Sequence, residues 1–199
     1  YRKNPPPVPE GYNYDFVNAD ALMNTIIAKD GKLTTATGMR YDVLYLDSNA
    51  VRMSVSVLRK LRDFAKAGVT IAGVKPVMTP SLADDAGEFK QLVGEIWSPG
   101  YSKVSEGKAL LDVLNGAGVQ PDFTYTRSDA KTKMLYVHRR LKDREVYWVN
   151  NRNNREEKLT LRFRVSGKAP QVWHPEDGRV EDVGFRVKGL VTEVDVMLA

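Results

Sequence analysis

The sequence of 199 residues contains no cysteine and only two histidines. The missing cysteine excludes disulfides, thiolate metal sites and a cysteine nucleophile, and two isolated histidines are too few for a structural zinc site. No apolar run approaches the roughly 20 residues that a membrane helix needs, so no membrane partner is expected. No metal site is predicted.

Phosphate-binding loops are also missing. No Gly-x-Gly-x-x-Gly follows a predicted strand, and no Gly-Lys-Ser/Thr occurs. A nucleotide is therefore not expected, and the sequence predicts no cofactor.

The net charge of +5 is concentrated in residues 137–170, which carry ten Lys/Arg and four Asp/Glu. Such a segment can attract nucleic acid or an anionic polysaccharide. Its charges alternate with apolar residues, which favours the solvated face of a β-sheet. Because no nucleic-acid motif accompanies the charge, no nucleic-acid partner is expected.

Residues 41–76 predict a β-α-β unit. The apolar run 43–46 suits a buried strand, and Val57, Leu58, Leu61, Phe64 and Ala65 follow at helical spacing between charged residues. Gly68 stands where a helix C-cap favours glycine, and the β-branched run 69–74 predicts a second strand. Strand, helix and strand in this length indicate parallel pairing with a right-handed crossover.

The flanking segments extend this region. The proline-rich residues 1–14 predict an extended linker arm. At its end, Tyr12, Tyr14 and Phe16 alternate as in an edge strand. Asn18 or Asp20 can cap a short helix, followed by a turn at 29–32 and a hairpin or extended piece at 33–39. Helices are predicted near 84–97 and 106–115, with a short strand at 103–105 between them. Residues 15–126 are therefore expected to form an α/β domain with a mostly parallel sheet.

Residues 127–199 follow a period of two. Strands are predicted at 134–138, 145–149, 159–165, 171–173, 185–187 and 191–198, separated by turn residues. Short strands at this spacing indicate an antiparallel β-sandwich. Because the last strand runs to Ala199 without a stop signal, the sandwich is expected to be truncated by one strand. The chain begins with Tyr1 rather than Met, and we expect it to be an excised piece whose missing signal says nothing about export.

Asp47 and Ser48 follow the first core strand, at the sheet edge where α/β proteins bind ligands. Ser48 can occupy the place of a nucleophile, but it lacks a Gly-x-Ser-x-Gly elbow and has no histidine within the α/β region. A helix-capping turn is the simpler interpretation.

His138, Arg139 and Arg140 are predicted to end a strand and open a turn. They can grip a carboxylate or a sugar hydroxyl, or form a surface ion-pair cluster with Asp143 and Glu145. Trp173 lies beside a turn, where its ring can stack on a sugar or anchor a sandwich edge. No catalytic carboxylate pair can be assigned from spacing.

The chain resembles the C-terminal region of bacterial α-L-rhamnosidase-type glycoside hydrolases of family 106. The resemblance rests on the order and spacing of seven segments, at 11–20, 41–47, 53–76, 137–140, 147–152, 163–167 and 173–178. It implies a flavodoxin- or amidotransferase-like α/β layer domain followed by a β-sandwich. It also implies that the catalytic carboxylates lie in an upstream (β/α)₈ barrel, so no catalytic residue is assigned here.

Without the cysteine of active class I amidotransferases, the α/β domain resembles a degenerate, non-catalytic version of that fold. The resemblance further implies a secreted or periplasmic parent protein that acts on polysaccharide. The expected function is thus a non-catalytic accessory region that packs on the upstream catalytic domain. The alternatives are a module that binds acidic or rhamnose-containing glycans through the basic segment, Trp148 and Trp173, and an independent α/β hydrolase that uses Ser48.

Overall fold

The computed structural model describes residues 8–127 and 129–199. They form a mixed α/β structure that is mostly β, with one small parallel sheet, several antiparallel sheets and no closed barrel among the described strands. The chain divides into two compact units, residues 1–9 with 14–120 and residues 10–13 with 121–199. No helix in the described ranges is long and apolar enough to cross a bilayer.

The first unit opens with helix α1 (Ala19–Asn24) and three antiparallel strands, β1 (Ile26–Lys29), β2 (Lys32–Thr35) and β3 (Arg40–Tyr41). The predicted cap is confirmed, because the Ala21 N–H donates to Asn18 Oδ1 at 2.8 Å. The edge strand predicted from Tyr12, Tyr14 and Phe16 is wrong, since these residues lie outside any strand.

The predicted β-α-β unit is confirmed. Strand β4 (Val43–Leu46) is followed by a 3-10 helix (Ser48–Val51), helix α2 (Val55–Lys66) and strand β5 (Thr70–Gly73). The two strands pair in parallel, from Val43 opposite Thr70 to Leu46 opposite Gly73. All five apolar residues of the predicted helix stripe are buried, and Gly68 follows the helix with a φ of +76°.

Helix α3 (Ala86–Ile96), strand β6 (Val104–Glu106) and helix α4 (Leu110–Gly116) complete the first unit. Strand β6 adds to β5 in parallel, so the parallel sheet has three strands in the order β4-β5-β6. Helix α4 begins four residues later than predicted, because Glu106 still pairs with Gly73 in the sheet and Gly107 has a left-handed φ of +69°. The core of this unit packs α2 and α3 around the sheet.

The described residues of the second unit form eight strands joined in antiparallel pairs. They are β7 (Phe123–Tyr125), β8 (Met134–Arg140), β9 (Glu145–Asn151), β10 (Glu157–Phe163), β11 (Gln171–Trp173), β12 (Val180–Asp182), β13 (Phe185–Lys188) and β14 (Val191–Leu198). Four form a sheet in the order β13-β14-β10-β7, while β8–β9 and β11–β12 are hairpins. Six of these strands were predicted from the period of two, and β7 and β12 were not.

The expected domain boundary after residue 126 and the unit boundary after residue 120 differ by one strand, β7, which pairs with β10. Residues 10–13 of the expected linker arm also belong to the second unit. Residues 1–7 of that arm lie outside the described residues.

The two faces of the four-stranded sheet differ in chemistry, as the alternation in β10 predicts. Leu159 and Leu161 are buried in an apolar cluster with Phe123 and Met134, and Phe163 packs against it. The opposite face carries a charged ladder, which we define as Arg162, Arg186, Lys188, Glu193 and Asp195. Its ion pairs include Arg162 Nε to Glu193 Oε1 at 3.0 Å and Arg186 Nη1 to Asp195 Oδ2 at 2.8 Å.

Candidate functional site

The six residues singled out in the sequence are divided between the two units. Asp47 and Ser48 belong to the first unit, and the other four belong to the second. Asp47 Oδ1 accepts from the Asn49 N–H at 2.9 Å, at the start of the 3-10 helix. This is the geometry of a helix cap, and the exposed Ser48 is the first residue of that helix.

His138 ends up between two carboxylates. Its Nδ1 lies 2.8 Å from Asp122 Oδ2, and its Nε2 lies 2.9 Å from Glu145 Oε2. The three side chains are 8–12% exposed. A carboxylate oxygen only accepts, so a protonated ring nitrogen donates to the carboxylate beside it. His138 therefore joins β8 to the start of β7 and to β9.

Asp122 is the hub of this cluster. Its Oδ1 accepts from the Tyr147 hydroxyl at 3.2 Å and from Arg164 Nη2 at 3.3 Å. Its Oδ2 accepts from Asn13 Nδ2 at 3.4 Å, in addition to the contact with His138. Each oxygen thus has two partners, which fills the four acceptor positions of a carboxylate.

The backbone at Gly11 supports the same cluster. Its carbonyl oxygen accepts from the Asp122 N–H at 2.7 Å and from the Tyr136 hydroxyl at 2.8 Å. Gly11 has a φ of +87°, and a Cβ at this position would collide with the Phe123 carbonyl oxygen and Pro121 Cβ. Only glycine fits without a shift of the backbone.

Glu145 brings the basic residues into the cluster. Burial alone would raise its pKa, but the hydrogen bond with His138 and the positive charges of Arg140 and Lys168 lower it. Arg140 Nε lies 3.0 Å from Glu145 Oε1, and Lys168 Nζ lies 3.6 Å from the same oxygen. Of the predicted surface cluster, Glu145 pairs with His138 and Arg140 but is only 11% exposed, whereas Asp143 pairs with Arg144 instead.

Tyrosine rings wall the cluster. The His138 and Tyr147 rings stack with centroids 4.0 Å apart, and Tyr136 packs on Phe123 at 4.8 Å. Burial and the charge of Asp122 raise the pKa of both Tyr136 and Tyr147. Both phenols are thereby held in the neutral, donating form.

The arrangement fits positioning better than catalysis. The oxygens of Asp122 and Glu145 are all engaged by donors, so neither carboxylate is free to accept a proton from a substrate or water. In the described part of the chain, no three histidine and carboxylate side chains are grouped to hold a metal ion. The role that this cluster can fill is structural, since it holds the β8–β9 hairpin against β7.

Arg139 lies on the other side of the hairpin from His138 and Arg140, because neighbouring residues of a strand face opposite ways. Its Nη1 donates to the His138 carbonyl at 3.1 Å. The same outward face carries exposed apolar residues, which we call the hairpin face: Leu135, Val137, Val146 and Trp148. The predicted His-Arg-Arg trio is therefore split between a buried cluster and an exposed surface.

Trp173 stands on β11 with 66% of its side chain exposed, opposite Val180 of β12. Next to it, His174 Nε2 lies 3.1 Å from Glu181 Oε1. The indole thus presents a free ring surface on this hairpin, which is the requirement for stacking on a sugar.

Sequence reasoning missed Asp122, Tyr147 and Gly11. Asp122 lies near the end of the predicted α/β domain, outside any predicted helix or strand, and Gly11 lies in the expected arm. The alternation of Glu145, Tyr147 and Val149 along β9 was the available signal that Tyr147 faces inward with Glu145.

The chain matches a known protein family over most of its length. The family described as alpha-L-rhamnosidase, glycoside hydrolase family 106, matches residues 1–187. That is most of the chain, so this protein belongs to the alpha-L-rhamnosidase family of glycoside hydrolases.

Two relatives show what share of a longer protein the chain corresponds to. It is similar to the structure of a rhamnosidase from Novosphingobium sp. PP1Y, with 33% identity and a TM-score of 0.90 over 96% of this chain. It is 32% identical over 176 residues to a Formosa agariphila protein named provisionally as a beta-glucuronidase. The chain spans 19% of the first relative and 14% of the second. It therefore corresponds to a small part of much longer polypeptides.

Proposed function

We propose that this chain is a non-catalytic accessory region of a polysaccharide-degrading, α-L-rhamnosidase-like glycoside hydrolase. It packs on and supports a separate catalytic domain of the same polypeptide, the upstream barrel that the family resemblance implies. One observation carries the proposal. The match to the solved rhamnosidase covers 96% of this chain but only 19% of the rhamnosidase chain. The saturated carboxylates of the His138 cluster support it, since they are bound as structural anchors.

The proposal includes a finer interpretation of the two units. We infer that the first is a reduced flavodoxin- or amidotransferase-like layer, supported by its three parallel strands and by helices α2 and α3. We infer that the second is a β-sandwich, supported by the apolar cluster shared between the four-stranded sheet and the β8–β9 hairpin. We infer a parent protein in the periplasm or outside the cell, an expectation that rests on the family resemblance.

The test is an activity assay with the isolated chain and with the longer polypeptide that contains it. Aryl α-L-rhamnosides and aryl β-glucuronides are both used, because the two relatives carry these names. We expect hydrolysis by the longer polypeptide and none by the isolated chain. Hydrolysis by the isolated chain that rises in proportion to its concentration overturns the accessory role.

A second candidate function is favoured by the exposed indole of Trp173. In this alternative the second unit binds acidic or rhamnose-containing glycans, with Trp173 stacking on a sugar ring and Arg139 and Arg140 attracting carboxylates. Arg139 is free of the Glu145 ion pair that holds Arg140, so it is the better placed of the two.

A glycan array at low and moderate salt tests this alternative. Binding that weakens with salt, and that is lost in Trp173→Ala and in Arg139→Ala/Arg140→Ala, supports a glycan-binding module. The matched control is Leu190→Ala, which removes another exposed apolar side chain of the same unit. Silence across the array at low salt removes the alternative and leaves the accessory role.

A further inference from the structure

The hairpin face is a contiguous apolar surface. Val137 lies directly opposite Trp148 in the register of β8 and β9. Leu135 and Val146 flank this pair, and the four side chains are 43–56% exposed. Arg139 and Asn150 lie at its two ends, so the polar groups border the surface and the centre is uncharged. Aromatic and arginine side chains around an apolar centre are typical of protein interfaces.

The same unit shows what a solvated sheet face looks like in this sequence. The outward face of β10, β14 and β13 carries the charged ladder. Within it, the carboxylate of Glu193 contacts three basic side chains, those of Arg162, Arg186 and Lys188. The hairpin face has the opposite chemistry, with apolar side chains that are 43–56% exposed. The contrast indicates that another molecular surface covers the hairpin face in the functional protein.

The hairpin is also held in place in advance. Its inward side chains His138 and Tyr147 contact Asp122 at 2.8 and 3.2 Å, and Glu145 contacts His138 at 2.9 Å. A surface fixed in this way loses little conformational entropy when a partner binds it.

We propose that the hairpin face docks on the portion of the longer polypeptide that lies outside this chain. This rests on the proposed accessory function and names the surface through which that function is exerted. The relatives supply the occupant, because this fold makes up 14–19% of their length and the rest is additional protein. A glycan is the poorer occupant, since Val137, Val146 and Leu135 around Trp148 are aliphatic, and only Asn150 and Arg139 at the two ends offer hydrogen bonds to hydroxyls.

Hydroxyl-radical footprinting of tryptophan tests the proposal with an internal reference. Trp148 and Trp173 are 56% and 66% exposed, so both are expected to react readily in the isolated chain. In the longer polypeptide, burial of Trp148 to roughly 10% exposure, as in an interface core, lowers its modification about fivefold relative to Trp173. Equal modification of Trp148 in both proteins overturns the proposal, and so does protection in the isolated chain that grows with its concentration, which assigns the face to a second copy.

A pair of substitutions provides an independent readout. Trp148→Lys in the longer polypeptide is expected to separate the thermal unfolding of this region from that of the rest, whereas Trp173→Lys leaves the transitions coupled. In the isolated chain, circular dichroism and Tm are expected to stay unchanged in both variants, because both side chains are exposed. Coupled unfolding in Trp148→Lys overturns the docking proposal.

The two proposals fail separately. Hydrolysis by the isolated chain defeats the accessory function whatever the state of Trp148. An inactive isolated chain whose Trp148 stays reactive within the longer polypeptide keeps the accessory function and removes the hairpin face as its docking surface.

Discussion

The imidazole of His138 lies almost flat on the ring of Tyr147, with the ring planes inclined by only 12°. The two residues face each other across β8 and β9, and both reach the carboxylate of Asp122. One acid thereby fixes two strands through two different side chains. The cluster therefore links two strands of the second unit, and its contribution to the free energy of unfolding can be measured.

Asp122→Asn is expected to destabilise the second unit by about 3–5 kcal/mol, because it removes the charge that His138 and Arg164 face in a buried site. Urea unfolding followed by circular dichroism measures the change. Asp143→Asn is the control, since Asp143 pairs with Arg144 on the exposed surface and its loss should leave the midpoint nearly unchanged. A similar small effect for both variants would contradict the role of Asp122 as the hub.

Gly11→Ala tests the close approach of the backbone at this cluster. A non-glycine residue at a left-handed φ costs about 1–2 kcal/mol, and the added Cβ must also displace Phe123 and Pro121. Gly178→Ala is the matched control, with a φ of +73° and nothing within 4 Å of the new Cβ. We expect Gly11→Ala to exceed the control by at least about 1 kcal/mol in the free energy of unfolding. Equal losses would show that the site relaxes around the methyl group.

Stability is expected to fall at alkaline pH. The pKa values of Tyr136 and Tyr147 are raised above their ordinary value of 10.0 by burial and by Asp122. The unfolded phenols ionise near pH 10 while the folded ones keep their protons, so this contribution is complete below pH 10 and is lost as the pH rises beyond it.

Urea midpoints between about pH 8 and 11 measure this loss. Tyr136→Phe/Tyr147→Phe should flatten the alkaline decline. Tyr41 of the first unit, whose hydroxyl donates to Asp15 and whose pKa is raised to about 12, supplies a residual slope. An identical decline in the double variant and the parent would rule out the two buried phenols as its cause.

The charged ladder predicts an acid response. Hydrogen bonds from Arg162 and Lys188 outweigh burial and lower the pKa of Glu193 from 4.5 to about 2. Its stabilising contribution is therefore present above pH 4.5 and is lost as the pH falls toward 2. Glu193→Gln should flatten the stability profile in this window and leave the region above it parallel to the parent. A profile of unchanged shape in the variant would contradict the prediction.

The sequence identified the elements whose signals are local. The stripe of α2, the two parallel strands around it and the alternation in β10 each depend on residues close together in the chain, and all three are confirmed. Strand β7 was not predicted because it has three residues and pairs with β10 about 40 positions later, so no periodicity marks it.

The site depended on long-range contacts and was only partly predictable. His138, Arg140 and Glu145 were grouped from their spacing in one hairpin. Asp122 could not be added, because its partners Asn13 and Arg164 lie 109 and 42 positions away. The opposite orientation of Arg139 follows from strand alternation, once the strand is known to run through Arg140.

Residues 10–13 are synthesised before residues 14–120 of the first unit, yet they belong to a unit whose other residues follow position 120. Joining Asn13 to Asp122 closes a loop of 109 positions, and the entropy of such a loop rises only slowly with its length. During translation the second unit must wait until the whole first unit has left the ribosome. A truncated variant that begins after residue 120 lacks the first segment of the second unit. Truncation experiments must therefore retain residues 10–13 together with the C-terminal half.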